Sequence, residues 1–162
     1  MPGQLIVAPQ YVDVDGPVLF LAGPIQGAID WQHSAIDIIR NLNKNVHIAN
    51  PRRDYAPGEF EYTKQVDWER HYLKRAFQNG AIMFWLAKEA EHRCDRAYAQ
   101  TTRFELGELL GKGAKIVVGI EKGYTGAKYI RHVLPKDYPE VPICKSLEET
   151  CKKALELCLL KD

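Results

Sequence analysis

The chain has 162 residues, with 22 basic against 21 acidic side chains for a net charge of +1, and 46% of it is hydrophobic. That length favours one domain, spanning 1–162, able to close a core without disulfide or metal staples. The charge balance excludes the basic excess of a protein that tracks a nucleic-acid backbone, so a small-molecule partner is expected and no nucleic acid. The N-terminus lacks the basic region and long apolar stretch of a signal peptide, and no run approaches membrane-spanning length. A soluble, cytoplasmic protein without a membrane partner is the expectation. Cys94, Cys144, Cys151 and Cys158 form no C-x-x-C pair; Cys151 and Cys158, seven apart, read as apolar positions on one helix face.

Residues 1–16 read as an N-terminal extension, with Leu5 to Ala8 a candidate edge strand. Val18 to Ala22 is apolar throughout, as a strand covered on both faces should be, and it ends at Gly23-Pro24. Asp30 is placed to N-cap a helix carrying Trp31, Ala35, Ile38, Ile39 and Leu42 on one stripe. Val46 to Ala49 is a second strand, stopped by Asn50-Pro51. A polar stretch leads to a helix over Thr63 to Gln78, terminated by Asn79-Gly80. Ala81 to Leu86 is the third strand. The charged segment Ala87 to Gln100 has no period and reads as a mobile loop. Thr102-x-x-Glu105 matches a capping box opening a helix to about Leu110. Lys115 to Ile120, a short helix over Ala127 to Leu134, Val141 to Cys144 and a final helix capped by Ser146-x-x-Glu149 complete the chain. Five strands alternating with helices predict an α/β fold: a flavodoxin-like, doubly wound, five-stranded parallel sheet with helices on both faces. Ligands of such sheets bind outside the carboxyl ends of the strands, where the loops after the first three strands converge.

Two carboxylates stand out. On the Thr63–Gln78 helix, Val66, Leu73, Ala76 and Phe77 form the apolar stripe, and Glu69 lies within it. A carboxylate facing the interior is costly unless it is paired or opens on a cleft. Either a salt bridge or an acid/base role accounts for it; desolvation would raise its pKa, as a proton donor near neutral pH requires. Asp67 falls on the opposite, polar side. Glu105, in the expected first turn of its helix, either completes the cap or is a carboxylate kept ionised by the helix N-terminus. One protonated and one ionised carboxylate are the equipment of a retaining glycosyl transfer.

Gly23-Pro24-x-x-Gly27 allows close backbone approach to a ligand. It is not the G-x-G-x-x-G fingerprint, and no G-x-x-x-x-G-K-[ST] loop occurs, which weakens dehydrogenase and ATPase readings. Arg52-Arg53 is either a phosphate or carboxylate site or a solvated surface pair. Trp31, Trp68 and Trp85 are core residues or base-stacking platforms.

Phe20-Leu21-Ala22-Gly23-Pro24, Pro51-Arg52-Arg53, Gln65-Val66-Asp67-Trp68-Glu69, Ile82-Met83-Phe84-Trp85 and Phe104-Glu105-Leu106-Gly107 stand in the order seen in nucleoside 2-deoxyribosyltransferase-like proteins. The chain resembles that family from about Val18 to Gly119. The resemblance implies a flavodoxin-like fold and exchange of the base of a 2′-deoxynucleoside through a covalent deoxyribosyl-enzyme intermediate. It places the nucleophile on Glu105, with Glu69 or Asp67 assisting the base. The candidate substrate-binding set is Gly23, Pro24, Ile25, Arg52, Trp85, Asp95 and Arg103. Better-studied members carry an Asp where this chain has Tyr72, another where it has Ala99, and often a Tyr at the end of the first strand that is missing here. The partners implied are deoxynucleosides and nucleobases, in a homo-oligomer, with no metal or cofactor required. The same family includes hydrolases of deoxynucleoside 5′-monophosphates, and related folds include nucleotide-binding modules that catalyse little. Hydrolysis of deoxynucleosides or their monophosphates, and non-catalytic nucleotide binding, are therefore the alternatives.

Overall fold

The computed structural model describes residues 1–161. Its elements in chain order are β1 (Leu5–Val7), β2 (Val18–Ala22), α1 (Trp31–Leu42), β3 (His47–Asn50), α2 (Tyr62–Gln78), β4 (Gly80–Leu86), α3 (Gln100–Gly111), β5 (Ile116–Ile120), α4 (Ala127–Asp137), β6 (Ile143–Cys144) and α5 (Leu147–Leu159). The strands form one sheet in the order β1-β3-β2-β4-β5-β6, and each pairing is parallel. Without β1, the order is that of the flavodoxin-like sheet. The sheet therefore has six strands rather than five.

The sixth strand comes from the supposed extension. Leu5 and Val7 stand opposite Ile48 and Asn50, and Ile6 is fully buried. The chain that follows is tied down over α2. Trp68 donates its indole N–H to the Gln10 carbonyl at 2.7 Å. The Tyr72 hydroxyl accepts from the Val12 amide and donates to the Val12 carbonyl. Arg75 donates to the carbonyls of Val14 and Gly16. A strand of three residues is too short to show a period, and its pairing is with residues more than 40 positions away, so nothing local announces it.

The period of two along the strands sorts the core into two layers. Phe20, Ala22, Ile82, Phe84 and Leu86 face Trp68, Tyr72, Leu106 and Leu134. Leu19, Leu21, Ala81, Met83 and Trp85 face Trp31, Ala35, Ile39, Cys151 and Cys158. Hence α2, α3 and α4 cover one face, and α1 and α5 the other. Cys151 and Cys158 are free and buried in that second layer. Asp30 and Ser146 cap α1 and α5 as expected, accepting from the amides of His33 and Glu149.

Two helices depart from expectation. The buried stripe of α2 runs through Gln65, Trp68, Tyr72 and Ala76. Phe77 is thereby left 44% exposed, while Leu73 is also buried, so Glu69 lies within the stripe between Gln65 and Leu73. Further along, α3 begins at Gln100, not Thr102, behind Ala99 at φ +55° with no side-chain cap. Thr102 is inside the first turn and Glu105 one turn deeper. The capping box is not formed, because the turn at Ala99 puts the N-cap three residues ahead of Thr102.

Candidate active site

Outside the carboxyl ends of β2, β3 and β4 lies a cleft of about 410 Å³. One wall is the end of β2 and the loop after it, from Phe20 to Gln26; another is Pro51 to Tyr62 after β3. Gln65, Val66 and Glu69 come from α2, and Arg96, Ala99, Thr101, Thr102 and Glu105 from the β4–α3 connection and α3. This is where a doubly wound sheet leaves an opening, because successive connections leave to opposite sides of β2.

The backbone of the β2 loop is shaped by its neighbours. Gly23 has φ +156°, and a Cβ there would stand 2.3 Å from the Trp85 carbonyl oxygen and 2.6 Å from the Trp31 ring. Trp31 in turn donates to the Pro24 carbonyl at 2.9 Å. The 87–99 segment is irregular, and its amides at Ala90 and Glu91 both donate to the Gly27 carbonyl. Arg96 donates to the Gln26 side chain. Tyr98 donates to the Ala87 carbonyl at 2.7 Å.

Glu69 and Glu105 share this cleft. Glu105 is only 8% exposed, and no hydrogen-bond donor among the described residues meets its carboxylate. Burial first, and the neighbouring Glu69 charge second, push it up to about 8; the Arg70 guanidinium pulls the other way. Arg70 is held in a two-pronged pair with Glu108, at 2.6 and 2.8 Å. Burial also raises Glu69, against a hydrogen bond from Gln65 at 2.9 Å. The helix N-terminus therefore does not keep Glu105 ionised: it sits a full turn inside α3, where desolvation outweighs the dipole. Desolvation and the repulsion between the two charges both work against ionising the pair together.

The other candidate residues divide sharply. Gly23, Pro24 and Ile25 line the cleft. Asp67 does not; two positions from Glu69 on a helix, it is turned to solvent. Arg103 is likewise two positions from Glu105, and it lines a separate groove between α3 and α4, bonded to the Tyr124 hydroxyl at 3.1 Å. Trp85 is 5% exposed in the layer against α1 and α5, the face away from both carboxylates. Asp95 is exposed and paired with Arg93 at 2.9 Å. Arg52 donates to the carbonyls of Ala28 and Ile29 and to the Gln32 side chain, bracing the β2 loop. Its neighbour Arg53 lines the cleft instead, as adjacent side chains in an extended segment point opposite ways.

Sequence reasoning passed over Tyr55, Phe60, Tyr62 and Gln65, which also line the cleft. Gln65 carried a usable signal, standing four residues before Glu69 on the same helix face. The aromatic residues of the 55–62 segment carried none, since an aperiodic loop does not say where it folds. Among the described residues, no group of three or more His, Cys, Asp or Glu could hold a metal ion, and no helix is long and apolar enough to cross a membrane.

Fold and cleft together define a doubly wound α/β protein that carries two carboxylates, Glu69 and Glu105, in a cleft beside its topological switch. The model of the nucleoside 2-deoxyribosyltransferase-like family matches residues 16–124, two-thirds of the chain. The chain belongs to that family. A search among curated proteins found no match.

Proposed function

We propose that this protein is a nucleoside 2-deoxyribosyltransferase, exchanging the base of 2′-deoxynucleosides through a deoxyribosyl ester on Glu105. The observation that carries this reading is the pair itself: Glu105 buried and Glu69 half-buried in one cleft, both raised by desolvation, with the Glu69 charge adding to the shift of Glu105. In the productive form Glu105 is ionised and Glu69 holds the proton. Glu105 attacks C1′ as the bond to the base breaks, and Glu69 delivers its proton to the departing nitrogen. An incoming base then attacks C1′, releases Glu105 and returns a proton to Glu69. The Arg70 charge lowers Glu105 and so favours this form.

A second reading follows from Arg53 and Arg96, two guanidinium groups on the cleft walls. They suit a 5′-phosphate, and the reaction would then be hydrolysis of a deoxynucleoside 5′-monophosphate with water as acceptor. The deciding experiment is chromatography of purified protein with deoxyinosine and adenine, then with thymidine and the deoxynucleoside monophosphates. New deoxyadenosine, absent with Glu105→Ala, supports exchange. Free base with deoxyribose 5-phosphate moves the assignment to the hydrolase. Undiminished turnover by a folded Glu105→Ala variant would remove Glu105 as nucleophile.

A further inference from the structure

The oxygens of Glu69 are not equivalent, and the reason lies outside the carboxylate pair. Gln65, on the same face of α2 and buried at 8% exposure, makes three hydrogen bonds. Its Nε2 donates to the Pro51 carbonyl at 2.8 Å and to Glu69 Oε1 at 2.9 Å. Its Oε1 accepts from the Tyr55 hydroxyl at 2.6 Å. A carbonyl oxygen can only accept, so the nitrogen end of the amide must face Pro51, and the oxygen end is left to Tyr55. The amide cannot turn over without setting two oxygens against each other at Pro51. Gln65 therefore presents N–H, and never C=O, to Glu69. Oε1 is an acceptor in both protonation states, and no donor among the described residues meets Oε2.

We infer that Gln65, locked by Tyr55 and Pro51, is a positioning residue that confines the transferable proton of Glu69 to Oε2. This rests on the reading of Glu69 as the acid. The step then has one geometry: the O–H bond at Glu69 Oε2 breaks as its proton passes to the base nitrogen. The C1′–N electron pair leaves with the base, and a Glu105 oxygen forms the new bond to C1′. Without the lock, the proton spreads over two oxygens and two directions, and the fraction aimed at the base falls. Tyr55 belongs to the segment after β3 and is the link between that segment and the acid. Its ring packs edge-on against Phe60, centroids 5.2 Å apart, with the Arg53 guanidinium 5.4 Å from its centre. Arg53 is in turn paired with Glu59 at 3.2 Å. The charged or titratable groups bordering Glu69 in the cleft are Arg53, Tyr55, Tyr62, Arg96 and Glu105, with Arg70 and Glu108 behind Glu105. Among the described residues, only Gln65 is hydrogen-bonded to it.

The test is the pH profile of kcat and of kcat/KM for exchange between deoxyinosine and adenine, in the wild type, Gln65→Leu and Tyr55→Phe, with Glu69→Gln as the reference. Gln65→Leu is expected to lower kcat by about tenfold or more, a share of what a placed general acid contributes, while KM moves by less than about threefold. The basic limb of kcat is expected to shift to higher pH, because the lost N–H no longer stabilises ionised Glu69. Tyr55→Phe should move both readouts the same way by less. It removes one oxygen from a half-buried ring, so it decides the matter if Gln65→Leu proves unfolded by its melting curve. If kcat and its basic limb stay at wild-type values, or if kcat falls with the limb unmoved, the positioning role is overturned. Full turnover by Glu69→Gln would instead overturn the acid reading beneath it, and an inactive Glu69→Gln beside wild-type-like Gln65→Leu and Tyr55→Phe would overturn the positioning role alone.

Discussion

Replacing Glu105 by Gln is expected to make the protein inactive and more stable at once, and the size of the gain is set by pH. The amide keeps the shape of the carboxyl and cannot ionise. In the unfolded chain a Glu titrates near 4.5, whereas the fold pushes Glu105 up to about 8, chiefly by burial. The folded state thus binds the proton more tightly than the unfolded one. That contribution to wild-type stability is fully present below pH 4.5, is lost steadily as pH rises, and is gone above pH 8. Each pH unit in that window is about 1.4 kcal/mol. Relative to wild type, Glu105→Gln should be neutral near pH 4.5, more stable by about 3 kcal/mol at pH 7, and by about 5 kcal/mol beyond pH 8. At pH 7 this is a rise in Tm of roughly 6–12 °C for a chain of this length. Thermal or urea unfolding of both proteins at pH 5, 6, 7 and 8 reads it directly. A difference that stays flat across that range, or a variant less stable at pH 8, would mean that Glu105 is solvated or compensated in the folded protein.

The two adjacent arginines should separate cleanly. Arg52→Ala removes three hydrogen bonds to the 28–32 segment and is expected to cost about 1–3 kcal/mol in urea unfolding, with KM for nucleosides and monophosphates moving in parallel. Arg53→Ala should cost less than about 1 kcal/mol, its ion pair with Glu59 being largely exposed, yet raise KM selectively for monophosphates; the opposite pattern would reverse the roles of the two side chains. Gly23→Ala drives a methyl against the Trp85 carbonyl and the Trp31 ring at a φ that L residues rarely adopt. A loss of about 3 kcal/mol or more is expected, and near-wild-type unfolding would show that the loop yields without strain.

Strands β2, β4 and β5 were legible because they are buried on both faces and so read as unbroken apolar runs. The caps Asp30 and Ser146 were legible because a side chain three residues from an amide is a local event. Glu69 stood out because a charge beside a hydrophobic stripe is an anomaly visible at helical spacing. Glu105 was a candidate as the partner carboxylate of Glu69 and was assigned the nucleophile's role by resemblance; the capping argument attached to it did not hold, since the start of α3 is set by the backbone turn at Ala99. Trp85, Asp95 and Arg103 were candidates by chemistry and proximity in sequence. Strand alternation puts Trp85 on the wrong face, a local ion pair claims Asp95, and a helical half-turn carries Arg103 away from Glu105.

What the sequence by itself determined is the alternation of strands and helices, the parallel doubly wound sheet and the edge where the cleft opens, because these follow from periods of two and 3.6 and from short-range turn chemistry. Only the tertiary structure decided that Glu69 and Glu105 line one cleft, that Arg53 rather than Arg52 faces it, and that residues 5–7 complete the sheet. The shift of Glu105 belongs to the same group. Desolvation and charge coupling depend on which distant segments close over a side chain, and that is a property of the packed chain rather than of any window along it.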